Sequence, residues 1–177
     1  MGMIRLRARF PVLALLLVLA MGGPATAGGP ANVVKPDYAE PRVLFDFYFD
    51  EPAKIGPALY WLRGLISPLL EPPYSMDPEF MDIVVLIHGT ELVTLARHNE
   101  ERYHDAVARM RYYAMLGVRF RVCGLALADF GYAPADLQSF VEVAPSAMTE
   151  LAHWQQQGYA LITPQVMERR VPLDAIR

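Results

Sequence analysis

One cysteine in 177 residues, Cys123, excludes an intrachain disulfide framework. The fold must therefore stand on its hydrophobic core, and the lone thiol needs a reason of its own. Long apolar runs are scarce too. The stretch Pro11 to Met21 (PVLALLLVLAM) has 11 residues, short of the ~20 that a membrane-spanning helix needs. The sequence contains no GxGxxG, no GxxxxGK, no GxSxG and no HExxH, so the common dinucleotide, phosphate, hydrolase and metalloprotease signatures are missing. It has no paired-arginine export motif, no internal repeat and no low-complexity tract.

What is present at the N-terminus reads as an export signal. Arg5, Arg7 and Arg9 precede the apolar run, Gly22, Gly23 and Pro24 break it, and Ala25-Thr26-Ala27 offers small residues to a signal peptidase. A cleavable signal over residues 1–27 and a periplasmic destination are expected, with no stable membrane insertion after cleavage. Cleavage removes three arginines and no acid. It leaves 150 residues with 13 basic against 19 acidic side chains, a net charge of −6. That sign disfavours a nucleic-acid partner and anionic lipid alike. A chain of that length buries roughly 70% of its unfolded surface, enough for one core.

Residues 28–41 are rich in Gly and Pro and read as a leader. From there strands and helices alternate. Residues 42–49 (RVLFDFYF) are β-branched and aromatic, as in a strand. Ile55, Leu59, Leu62, Ile66 and Leu69 fall at helical spacing, and Pro57 and Pro68 suggest helix limits near Gly56 and Ser67. Residues 82–87 (DIVVLI) suit a strand buried on both faces. A polar stretch follows, then Tyr103, Val107, Met110 and Ala114 mark a helix ending at Gly117. Residues 118–123 (VRFRVC) alternate as a third strand, residues 124–130 as a short helix, and residues 140–143 as a fourth strand. A helix opens at Pro145-Ser146 and ends at Gly158. Residues 159–163 form a last strand, and residues 165–177 a polar tail. This alternation predicts a three-layer α/β/α domain around a five-stranded parallel sheet with flavodoxin-like layering, spanning residues 42–164.

Open parallel sheets place working groups at the carboxyl ends of their strands. Three such ends stand out: His88 to Thr90, Cys123-Gly124 and Ala144 to Ser146. Cys123 precedes a predicted helix, where backbone N–H groups favour a thiolate; a small buried core residue is the plainer reading. Gly124 would let a ligand or second thiol approach the backbone. His88 suits proton transfer or support of a thiolate, or a histidine simply hydrogen-bonded in place, and nearby Glu91 offers a weaker orienting contact. Gly89, beside His88, is a candidate binding position, as is Gly124. Ser146 reads first as a helix cap and second as a substrate contact. His98 and His104, six apart, do not share a helical face, so no metal site is expected there, and no cofactor is expected. Trp154, Leu151 and Met148 read as core or subunit interface.

Three segments, VVLIHG (84–89), GVRFRVCGLAL (117–127) and VEVAPSAMTELAHWQQQGYALITP (141–164), resemble the DsrE/DsrF-like family. The resemblance covers residues 42–164. It implies a five-stranded parallel sheet, homo-oligomers (trimers or hexamers) and a role in sulfur metabolism. In sulfur-relay members of that family a cysteine after the third strand carries sulfane sulfur as a persulfide to a partner's thiol, and Cys123 matches that position. His88 matches a histidine frequent at the second strand's end. Neighbouring second and third strands would bring the two together. The export signal and the apolar Leu125-Ala126 after Cys-Gly depart from the family pattern. A sulfur carrier or sulfurtransferase with a donor or acceptor protein is the implied function. A non-catalytic ligand-binding or scaffold module of the same fold is the alternative.

Overall fold

The computed structural model describes residues 31–177, so the signal read at residues 1–27 and the first part of the leader lie outside the described residues. Residues 31–36 carry no regular secondary structure. The compact unit begins at Asp37.

Five strands, β1 (Arg42–Phe47), β2 (Asp82–Ile87), β3 (Arg119–Cys123), β4 (Val141–Ala144) and β5 (Ala160–Ile162), form one sheet in the order β4-β3-β2-β1-β5. All pairings are parallel. Four helices connect them: α1 (Ile55–Leu70), α2 (His104–Met115), α3 (Gly124–Asp129) and α4 (Ala147–Gln156). The chain steps outward from β1 to β4 and then returns across the sheet to β5. Crossovers keep one hand, so the return places α4 on the opposite face from α1 and α2.

Side-chain alternation assigns the two faces. Phe45 and Phe47, Ile83, Val85 and Ile87, and Phe120 and Val122 pack with Leu59, Leu62, Val107 and Met110 in the main core. Leu44, Val84, Leu86 and Cys123 face Ala147, Trp154 and Tyr159 in a smaller one. This two-sided burial explains the unbroken DIVVLI run of β2. In β3 the alternation instead puts Arg119 and Arg121 on the α4 side, where their guanidinium carbons lie 4.6 and 5.0 Å from the Trp154 ring centre. Arg121 also binds Glu150 at 2.7 Å and Glu142 at 2.8 Å. Burial works against the Arg121 charge, but these two carboxylates outweigh it and move its pKa up.

The structure corrects several limits. β1 stops at Phe47, two residues early, because Tyr48 and Phe49 turn into the loop over the sheet end. α1 runs through Pro68 to Leu70. The missing Pro68 N–H falls in the last turn and costs only a bond to the carbonyl of exposed Gly64, which water can take. The stretch read as polar after β2 is a 3-10 helix over Thr90–Leu95 that buries Leu92, Leu95 and, with them, Glu91 and Thr94. The tail contains one short turn, Leu173–Ala175, and Val166 packs against the main core. Among the described residues no helix is long and apolar enough to cross a membrane.

Candidate functional site

The carboxyl ends of β1, β2 and β3 bring the chemistry together. Ile87 pairs with Val122 in the β2–β3 register. One further step sets His88 beside Cys123, on strands about 4.8 Å apart. Cys123 is 6% exposed. It forms the N-cap of α3, and its Sγ accepts a hydrogen bond from the Ala126 N–H at 3.5 Å. Cys123 is also the cap through which β3 turns directly into a helix, so strand end and helix start fix its direction together.

His88 is held from the other side. Its Nε2 lies 2.7 Å from Asp46 Oδ1 on β1. The Tyr48 ring stacks on the imidazole, with centroids 4.7 Å apart and planes 15° apart. Among the described residues no hydrogen bond joins His88 to Cys123; Sγ faces the Ala126 amide and Nε2 faces Asp46. Catalytic pairs are commonly looser before substrate arrives.

Glu91 does not orient His88. Its carboxylate is fully buried and accepts from two backbone amides, Phe49 N–H through Oε2 and Gly89 N–H through Oε1, both at 3.0 Å. Burial pushes its pKa up, opposed by those N–H groups. Thr90 reinforces the same junction, donating from N to Phe49 O at 2.9 Å and from Oγ1 at 3.1 Å. The loop after β1 and the loop after β2 are thus sewn together beneath Tyr48 and His88.

The remaining candidates have close-packed neighbours. A Cβ on Gly89 would sit 2.5 Å from Glu91 Oε2 and 2.5 Å from Phe49 O, so only glycine fits under this junction. At Gly124 the space is taken by the Ala144 carbonyl, 2.8 Å from where a Cβ would be. That contact packs the end of β4 against the start of α3. Ser146 caps α4, its Oγ accepting from the Thr149 N–H at 3.2 Å. Trp154 is buried in the smaller core, Leu151 is partly buried against it, and Met148 is 64% exposed. His98 tilts against the Tyr132 ring and His104 is exposed beside Asp105. No group of three metal-ligating side chains is assembled among the described residues.

A cleft of about 290 Å³ opens over His88, between Tyr48, Phe49, Thr90, Ala126 and Phe130. Asp50 and Asp129 stand on its wall. The side-chain hydrogen bond from Lys54, at 2.5 Å, holds the Asp50 carboxyl below its ordinary range. A larger trough of about 940 Å³ lies elsewhere, between the starts of α1 and α2 and residues 165–167, and of the residues singled out above as site candidates only His104 lines it.

Asp46, Tyr48 and the true role of Glu91 escaped the sequence reading. A lone acid inside an apolar strand, on the same alternation as Leu44, was the available signal for Asp46.

A comparison with curated proteins finds no match. Among solved structures, MTH1491 from Methanobacterium thermoautotrophicum, a protein of unknown function, is similar at 25% identity and a TM-score of 0.56, over 70% of this chain and 99% of that one. The sequence model of the DsrE/DsrF-like family matches residues 49–164, which span every strand end described above except the β1 residues Asp46 and Tyr48. With that match, the five-stranded parallel sheet and the cysteine at the third strand's end, the chain belongs to the DsrE/DsrF-like family.

Proposed function

We propose that this chain is a periplasmic sulfur carrier that holds sulfane sulfur on Cys123 as a persulfide and passes it to a partner's thiol. Family membership points to sulfur relay in general. The observation that carries the finer reading is the position of Cys123. Its sulfur caps α3 at 3.5 Å from the Ala126 amide, and Cys123 stands level with His88, one step past the Ile87–Val122 pair. In that setting the Cys123 thiol gives its proton to His88 while Sγ attacks the outer sulfur of a donor persulfide. The new Sγ–S bond forms, the donor S–S bond breaks, and the departing thiolate takes the proton back from His88. A thiol and a persulfide thus become a persulfide and a thiol, with no outside oxidant or reductant. The backbone N–H that now meets Sγ supports the negative sulfur. Homo-oligomeric assembly, as a trimer or hexamer, and export through the cleavable signal at residues 1–27 complete the proposal, on the family's pattern and the signal sequence respectively.

One observation favours the alternative, a binding or assembly module. Cys123 is buried and packs with Leu44, Val84 and Leu86, as an inert core thiol would. Cold cyanolysis separates the two. After incubation with polysulfide and desalting, the folded wild-type chain is expected to release close to one thiocyanate per chain, and Cys123→Ser none. Equal release from both proteins would remove the persulfide from Cys123 and leave the module reading.

A further inference from the structure

Asp46 has no part in the scheme above, yet it stands where a thiol–imidazole pair needs a third group. Its Oδ1 is 2.7 Å from His88 Nε2, and the two side chains are only 17% and 11% exposed. Asp46 pairs with Leu86 in the β1–β2 register, and the same alternation that turns Leu44, Leu86 and Cys123 to one sheet face turns Asp46 and His88 there too. Cys123, His88 and Asp46 therefore run across the ends of three adjacent parallel strands. Tyr48 stacks on the middle ring and limits its rotation.

A carboxylate only accepts, so the nitrogen facing it carries the proton. Nε2 is then the donor to Asp46, and Nδ1 is the nitrogen left to take a proton. Nucleophile, base and base-orienting acid is an arrangement that recurs on unrelated folds. Resting on the reading of Cys123 as the reacting thiol, we propose that Asp46 is the positioning residue of a Cys123–His88–Asp46 triad. It fixes the tautomer and ring orientation of His88 so that Nδ1 takes the proton from Sγ as the new sulfur bond forms. The S–H electron pair makes that bond, and Nδ1 later returns the proton to the departing thiolate. Asp46 itself keeps its charge throughout.

Two measurements on the full chain test this. Imidazole ¹⁵N NMR of the neutral ring is expected to find the His88 proton on Nε2 in the wild type. In Asp46→Asn, whose amide can donate to Nε2, the proton is expected to move to Nδ1. The rate of Cys123 alkylation by iodoacetamide at neutral pH is expected to fall about tenfold or more in Asp46→Asn, by as much as in His88→Ala, with no further loss in the double variant. Asp46→Glu should recover part of the rate. Wild-type alkylation in a folded Asp46→Asn, or an additive double variant, would overturn the proposal. Should Asp46→Asn fail to fold, the wild-type spectrum decides, because a proton resident on Nδ1 is incompatible with the triad. Sulfur uptake is read separately on the same proteins. Asp46-dependent alkylation in a chain that takes up no sulfur keeps the triad and removes the carrier reading; uptake with Asp46-independent alkylation does the reverse.

Discussion

Glu91→Ala is expected to destabilise the domain by about 2–6 kcal/mol, because it strands two buried amides that each cost about 1–3 kcal/mol without a partner. Those amides belong to Phe49 and Gly89, one in each of the loops that carry Tyr48 and His88. Urea denaturation reads the loss, and a change under about 1 kcal/mol would contradict this account of the junction. A pH dependence follows from the raised Glu91 pKa. The unfolded carboxyl titrates near 4.5, the folded one above it. Between the two values the folded chain binds the extra proton. The group's contribution to stability is therefore greatest below 4.5 and falls as pH rises through the folded value. Glu91→Gln cannot titrate, so the wild type should lose stability relative to that variant as pH rises through the window. An unchanged difference across the range would contradict the assigned burial.

Trp154→Ala is expected to cost about 3–5 kcal/mol, the usual range for emptying a buried tryptophan site. Trp154 is what fastens α4 to the less covered face of the sheet. The Arg119 and Arg121 guanidiniums both lie over its ring, which meets the Tyr159 ring edge-on at 4.7 Å and donates from Nε1 to Glu150 at 2.7 Å. Truncation removes the ring's apolar burial and both cation–π contacts. Arg121 still holds Glu150, so the carboxylate keeps a partner. Trp154→Phe retains the packing and loses the donor, for an expected cost of about 1–2 kcal/mol. Cys123 and Ala147 share this cluster, so Trp154→Ala should also speed alkylation of the thiol through local opening. Equal denaturation midpoints for the Ala variant and the wild type would show that α4 is held by something else.

The parts of the fold governed by local pattern were legible. The apolar DIVVLI run, the alternating VRFRVC and the Ser-capped AMTELAHWQQ helix each carry their own period, and the structure places them as strand, strand and helix. The position of Cys123 at a strand end was readable for the same reason. The register between strands was less so. Asp46 and His88 are 42 residues apart and meet only because Phe47 pairs with Ile87. Glu91 looked like the partner of His88 because it is near in sequence. The 3-10 turn after β2 instead curls its side chain back under Gly89 and Phe49. Proximity along the chain misled there, and register, invisible in a single sequence, decided the contact.

Intact mass spectrometry of the folded chain after polysulfide treatment reads directly whether Cys123 carries sulfur. A Cys123 persulfide adds about 32 Da per sulfur atom, removed by reductant and absent in Cys123→Ser. An unchanged mass in a folded wild-type chain whose thiol is free would contradict it.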